Sequence, residues 1–163
     1  MNNVSLSYEA MQQKIQELEE RNSFLENVLD TIPLNIFVKD NESRYCYTNK
    51  ICDKMNGVER GGLLGKSDFD RNTPTEIAQS FQDDDSMIIN TRTGSRLLTP
   101  EYCGDKVRYY NILKEPLIDN SDKVAGVLGV VVEAMANETP YSSAILENCE
   151  GMFFDYNIAT GKS

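Results

Sequence analysis

The sequence predicts an α+β chain: a five-stranded antiparallel sheet with helices gathered on one face, preceded by an N-terminal coiled-coil helix. Three observations carry this. Residues 8–32 repeat apolar side chains in steps of four and three. Beyond Pro33 the pattern changes to short β-branched and aromatic runs bounded by turn residues. Those runs fall in the order strand, strand, short helices, long helix, three strands, and one sheet covered on one face is the economical way to pack them.

The helical stretch has the clearest period. Met11, Leu18, Leu25 and Ile32 take heptad position d, and Tyr8, Ile15, Asn22 and Leu29 take position a. A single Asn at a costs stability but favours a two-stranded parallel register, because two such amides pair across the seam. Lys14 and Arg21 fall at g, with Glu19 and Glu26 at the following e positions. In a parallel homodimer these place Lys14 against Glu19 of a second copy, and Arg21 against Glu26. The competing reading is an amphipathic helix packed on its own domain. Pro33 ends the helix, since the residue before a proline is biased away from helical geometry.

Asn35–Lys39 and Arg44–Thr48 read as a hairpin around the turn Asp40-Asn41-Glu42-Ser43. Asn49 is placed to cap the short helix that follows, and Gly57 suits its end. Gly61, Gly62 and Gly65 make the next segment a loop, containing Gly65-Lys66-Ser67-Asp68-Phe69-Asp70. Thr73, Pro74 and Glu76 predict a capping box at the start of a long helix that ends near Thr91–Gly94. Its inward face carries Ala78, Phe81 and Ile88, with Ile77 beside them and Asp85 among them. Either that carboxylate is buried against Lys39 or Lys114, or a slight rotation leaves it at the rim beside Asp83 and Asp84. Leu97–Cys103, Val107–Ile118 and Val124–Glu133 are the last three strands, turned at Gly104-Asp105 and at Asn120-Ser121-Asp122-Lys123.

The bulk composition removes several function classes. The 163 residues are 40% hydrophobic and 26% charged, with a net charge of −10. That acidity argues against nucleic acid and against anionic membrane surfaces as partners. No apolar run is long enough to span a bilayer, and the N-terminus lacks a secretory pattern, so the expected location is the cytoplasm. The four cysteines, Cys46, Cys52, Cys103 and Cys149, form no CxxC pair and read as reduced thiols, most of them small core residues. With no histidine anywhere, a histidine metal ligand, a His-based triad and a histidine phosphoacceptor are excluded within the chain. No nucleophile motif, phosphate loop or paired acid–base constellation is present, so the chain reads as regulatory, not enzymatic.

Between Leu25 and Met135 the ordered residues resemble the PAS domain family. The resemblance is carried by Lys39-Asp40, Tyr47-Thr48-Asn49 and Gly65–Asp70. It continues through Ala78, Phe81, Asp85 and Ile88-Ile89 on the long helix, Lys114–Asp119, and Val124–Val130. It implies a sensory input and dimerisation module of a signal-transduction protein. The output would be covalently linked and outside this chain, a sensor histidine kinase of a two-component system or a diguanylate cyclase. It places a ligand pocket between the long helix and the sheet, with Tyr47, Phe81, Ile88, Tyr109, Asn111 and Val130 as candidates, and Tyr110 and Ile112 if the strand has the opposite phase. Haem-binding members commonly use a histidine, and flavin photosensors carry a reactive cysteine in an Asn-Cys-Arg-Phe-Leu setting. Both are missing, so no cofactor is expected, and what stays open is a small organic ligand or a ligand-free protein–protein interaction module. Many members end the last strand with Asp-Ile/Val-Thr; Glu133-Ala134-Met135 stands there, with Glu133 keeping the acidic role in signal coupling. Ala144–Tyr156 follows the pattern of Val28–Asp40 after one deletion. The resulting division is a coiled-coil helix over 1–24, a PAS domain over 25–136, and a linker with the start of a second repeat over 137–163, cut from a longer parent.

Overall fold

The structure is a computed structural model, and it describes residues 8–71, 73–103 and 106–134. The chain divides after Pro33 into two compact units. The first holds helix α1, Tyr8–Thr31, which buries none of its residues. It runs unbroken through residues 24 and 25, so the boundary expected there falls inside a helix; the division comes at Pro33, where the helical pattern stops.

The second unit contains β1 (Asn35–Lys39), β2 (Tyr45–Thr48), α2 (Lys50–Met55), a 3₁₀ turn (Asp68–Asp70), α3 (Thr75–Thr91), β3 (Ser95–Cys103), β4 (Lys106–Ile118) and β5 (Val124–Glu133). The strands form one sheet in the order β2-β1-β5-β4-β3, every neighbouring pair antiparallel. The expected α+β fold is therefore present, with its last three strands the longest. The Gly104-Asp105 turn and the proposed repeat over 137–163 lie outside the described residues.

Local chemistry sets the joints. Asp40 Oδ1 accepts from the backbone amides of Glu42 and Arg44, and Asp119 Oδ1 does the same for Ser121 and Lys123. Asn49 is fully buried: its Oδ1 accepts from the amides of Cys52 and Ile36, and its Nδ2 donates to the Leu34 carbonyl. One side chain thus caps α2 and pins the edge of β1. The box expected at Thr73–Glu76 is absent. Pro74, extended at ψ 139, takes the cap position of α3 without a side-chain bond. A capping box forms earlier, where Ser67 and Asp70 close the 3₁₀ turn.

The core lies between the helices and one face of the sheet, around Phe37, Tyr45, Cys52, Leu63 and Ile112. Of the two cysteines for which a free thiol is described, Cys52 belongs to this core and Cys46 is exposed. Burial, then the neighbouring Asp53 charge, pushes the Cys52 thiol up to about 11. Gly129 sits under the Phe37 ring, and any Cβ there would fall within the ring's van der Waals envelope.

Candidate functional site

Two polar systems share the buried face of the sheet. The first is a ribbon of alternating charge. Lys39 at the end of β1 is 1% exposed, and its Nζ bonds Asp68 in the 3₁₀ turn and, at 2.8 Å, Asp85 on α3. Asp85 is 0% exposed and also binds Lys114 of β4, itself 1% exposed. Lys114 reaches Asp84 at 2.9 Å and the Phe81 carbonyl at 3.2 Å. At the other end, Arg71 bonds Asp68 at 2.8 Å, the Tyr45 hydroxyl at 2.6 Å and Asn56 Oδ1. The sequence Arg71–Asp68–Lys39–Asp85–Lys114–Asp84 therefore joins the 3₁₀ turn, β1, α3 and β4.

Burial alone would raise the Asp68 carboxyl. The Lys39 charge and hydrogen bond, with Tyr45 and Arg71, outweigh it and hold Asp68 below its ordinary value. Tyr45 donates to Asp68 Oδ1 at 2.7 Å. Burial, reinforced by that carboxylate, pushes its phenol well above the ordinary range, so it stays a donor at neutral pH.

The second system is a cavity of about 380 Å³ between the sheet and α3. Its walls include Phe37, Phe81, Tyr110, Ile112 and Val131, with Lys39, Asp68, Arg71 and Lys114 at one side. Asn35, 8% exposed, also lines it. Among the described residues its Nδ2 meets only the Met55 sulfur, at 3.7 Å, and its buried Oδ1 has no hydrogen-bond partner. A larger groove of about 760 Å³ runs between α3 and the edge strand β3. Size does not make it the better site, because polar groups along it already satisfy one another: Ser95 donates to Asp84 at 2.9 Å and Gln79 to Asp83 at 2.8 Å.

The candidate residues divide between the two faces. Phe81 lines the cavity, and Ile88 is fully buried on α3 without lining it. Tyr47, Tyr109, Asn111 and Val130 do not line it, and this corrects their assignment. Register explains why. Asn35 pairs with Val131, which pairs with Ile112, so these share the inward face. Val130 pairs with Ile36 and Leu113, and Tyr47 with Val38, on the other face. Asn111 is buried there, accepting from Arg96 Nε at 3.1 Å. Tyr110 and Ile112, the opposite phase of β4, are the residues that face the cavity.

Glu133 ends β5, exposed, 3.8 Å from Arg108 on β4. On α1, Met11, Ile15, Leu18, Asn22 and Leu25 are exposed and Leu29 is partly buried, while Lys14 pairs with Glu17 of its own helix at 2.9 Å. Sequence reasoning missed Asn35, Phe37, Tyr45, Asp68 and Arg71 as site residues. The alternation Asn35, Phe37, Lys39 on one strand face, and the three-residue step from Asp68 to Arg71, were the available signals.

Among the described residues no helix is long and apolar enough to cross a membrane, and no acidic or cysteine cluster could hold a metal ion. The family model for the PAS fold matches residues 29–138. No curated protein sequence matches the chain. Among solved structures, VqmA bound to DPO is similar with a TM-score of 0.62 at 23% identity, over 68% of this chain and 56% of that one. A Vibrio cholera VqmA–ligand–DNA complex gives 0.62 at 19% identity, over 80% and 59%. The PAS domain of Bordetella pertussis BvgS gives 0.61 at 18%, over 78% and 94%. At these identities the likeness shows the fold alone, and the chain spans less than two thirds of the VqmA chains. These structures correct the exclusion of nucleic acid made from net charge. VqmA, which shares this fold, is described in complex with DNA, so net charge alone does not exclude a nucleic-acid partner.

Proposed function

The chain belongs to the PAS fold family, and from that premise we propose that it is a ligand-binding sensory module, regulatory in role and devoid of catalysis of its own. The carrying observation is the cavity between α3 and the sheet, with the unpartnered Asn35 Oδ1 in its wall. A ligand-free interaction module would be expected to fill this space with side chains. A cavity with a few convergent polar groups suits a small organic molecule instead. Ligand entry beside Phe81 would bias α3, which the charge ribbon ties to β1 and β4. The signal would leave through the end of β5 at Glu133 and through α1, paired in parallel with a second copy. The output we envisage is a covalently linked histidine kinase or diguanylate cyclase, and the likeness to VqmA adds a DNA-binding segment to that set. The test is native mass spectrometry of the purified 163-residue chain. A retained adduct of a few hundred daltons or less, released on denaturation, is expected. A chain that carries no adduct and takes up none from a cell extract overturns the sensing reading.

A further inference from the structure

We infer that the cavity selects an uncharged, ring-bearing ligand that presents a carboxamide-like edge, an N–H beside a C=O, to the Asn35 side chain; this rests on the sensing reading above. Two independent observations carry it.

The first is charge. The ionised side chains that line the cavity, Lys39, Arg71, Lys114 and Asp68, belong to a balanced set that Asp84 and Asp85 complete from outside the lining, three cations against three carboxylates. Each cation is already held by a carboxylate, and the two lysines are almost wholly removed from water. An anionic ligand would have to break one of these pairs, stranding a carboxylate, and a cationic one would strand a cation. Either leaves an uncompensated buried charge. A neutral ligand disturbs nothing.

The second is the Asn35 head. A primary amide offers two donors and two acceptor positions. Here the donor side faces a thioether, a weak acceptor, and the acceptor side has no hydrogen-bond partner among the described residues. A buried acceptor left bare costs stability that a ligand N–H would recover, and a ligand carbonyl would serve Nδ2 better than sulfur. A lone hydroxyl could meet only half of this demand. The aromatic walls, Phe37, Phe81 and Tyr110, then suit a flat ring carrying that edge.

Four near-isosteric probes separate the elements of this inference: benzamide, acetophenone, benzoate and benzamidine. They share ring and shape, and differ in charge and in donors. Thermal shift and calorimetric titration of the whole chain at millimolar probe should show benzamide binding more tightly than each of the others by about tenfold or more, the ~1.4 kcal/mol that one buried hydrogen bond can supply. Asn35→Leu should keep the apo melting temperature or raise it, because a bare polar atom leaves the interior. It should also bring benzamide down to the level of acetophenone. Benzoate, benzamidine or acetophenone binding as well as benzamide would overturn the inference while leaving the sensing reading standing, as would an Asn35→Leu protein that keeps the benzamide preference. No shift with any of the four would overturn the inference, and the adduct measurement above then decides the sensing reading. Should Asn35→Leu fail to fold, the wild-type ranking of the probes decides alone.

Discussion

Asp85 accepts from two lysines that are, like it, shut off from water, and that fixes what its removal does. Asp85→Ala leaves Lys39 with Asp68 alone and Lys114 with Asp84 and a carbonyl, all inside the protein. Breaking a buried pair by deleting one partner is expected to cost roughly 3–5 kcal/mol, far more than a surface change of about 0.5. A urea melt of that variant measures it, and a midpoint equal to wild type would contradict the burial described here. Asp68 makes a separate claim. Its folded value lies below the unfolded one, so as pH falls the unfolded chain takes up the proton first. The stability it contributes is complete above the ordinary carboxyl range, about 3.9, and is lost as pH drops through the lower folded value. Urea midpoints should therefore fall between about pH 5 and pH 3, and less steeply in Asp68→Asn. At this scale the sequence was legible in part. Helical spacing alone puts Asp85 on the inward face. The phase of β4 was not legible from Tyr109-Tyr110-Asn111-Ile112-Leu113-Lys114, because the inward set ends in a lysine and the outward set in a leucine. Lys114 is tolerated inside only because α3 brings two carboxylates to it, and no reading of one strand can know that.

Elements were read more reliably than faces, since their limits are set by local chemistry. Asn35–Lys39 and Val124–Glu133 coincide with β1 and β5 residue for residue. Where the start of α3 was misjudged, Pro74 was compatible with either cap or first-turn position, and only its extended ψ distinguishes them. β5 supports a test at this level. Gly129 gives the Phe37 ring room to lie against the sheet, and Phe37 is a wall of the cavity. Gly129→Ala should drive the ring off its site, costing about 1–3 kcal/mol in strain. It should also reduce uptake of any probe that fills the cavity. Thermal melting and probe titration read the two effects, and an unchanged melting temperature would mean that the ring has another place to go.

For the molecule as a whole, the apolar row of α1 is exposed, and the proposed parallel pairing with a second copy would cover it. Sedimentation should show a dimer. Asn22→Leu should tighten helix pairing while loosening its stoichiometry, with higher oligomers appearing, since the amide that favours a two-stranded register is gone. A monomer at high concentration with full helicity would remove the seam. The heptads define the face and the charge pattern of the proposed contact, whereas the cavity became visible only when distant segments met: Asn35, Arg71, Phe81 and Tyr110 come from four stretches with no common motif. The ribbon from Arg71 to Asp84 has a consequence on another timescale. Its members cannot drift singly, because an intermediate with one partner replaced carries a stranded charge and folds poorly. Descendants of this sequence should therefore inherit the set whole or lose it in concerted steps toward apolar residues. Selection on folding alone would then preserve the charged wall of the cavity whatever that cavity holds.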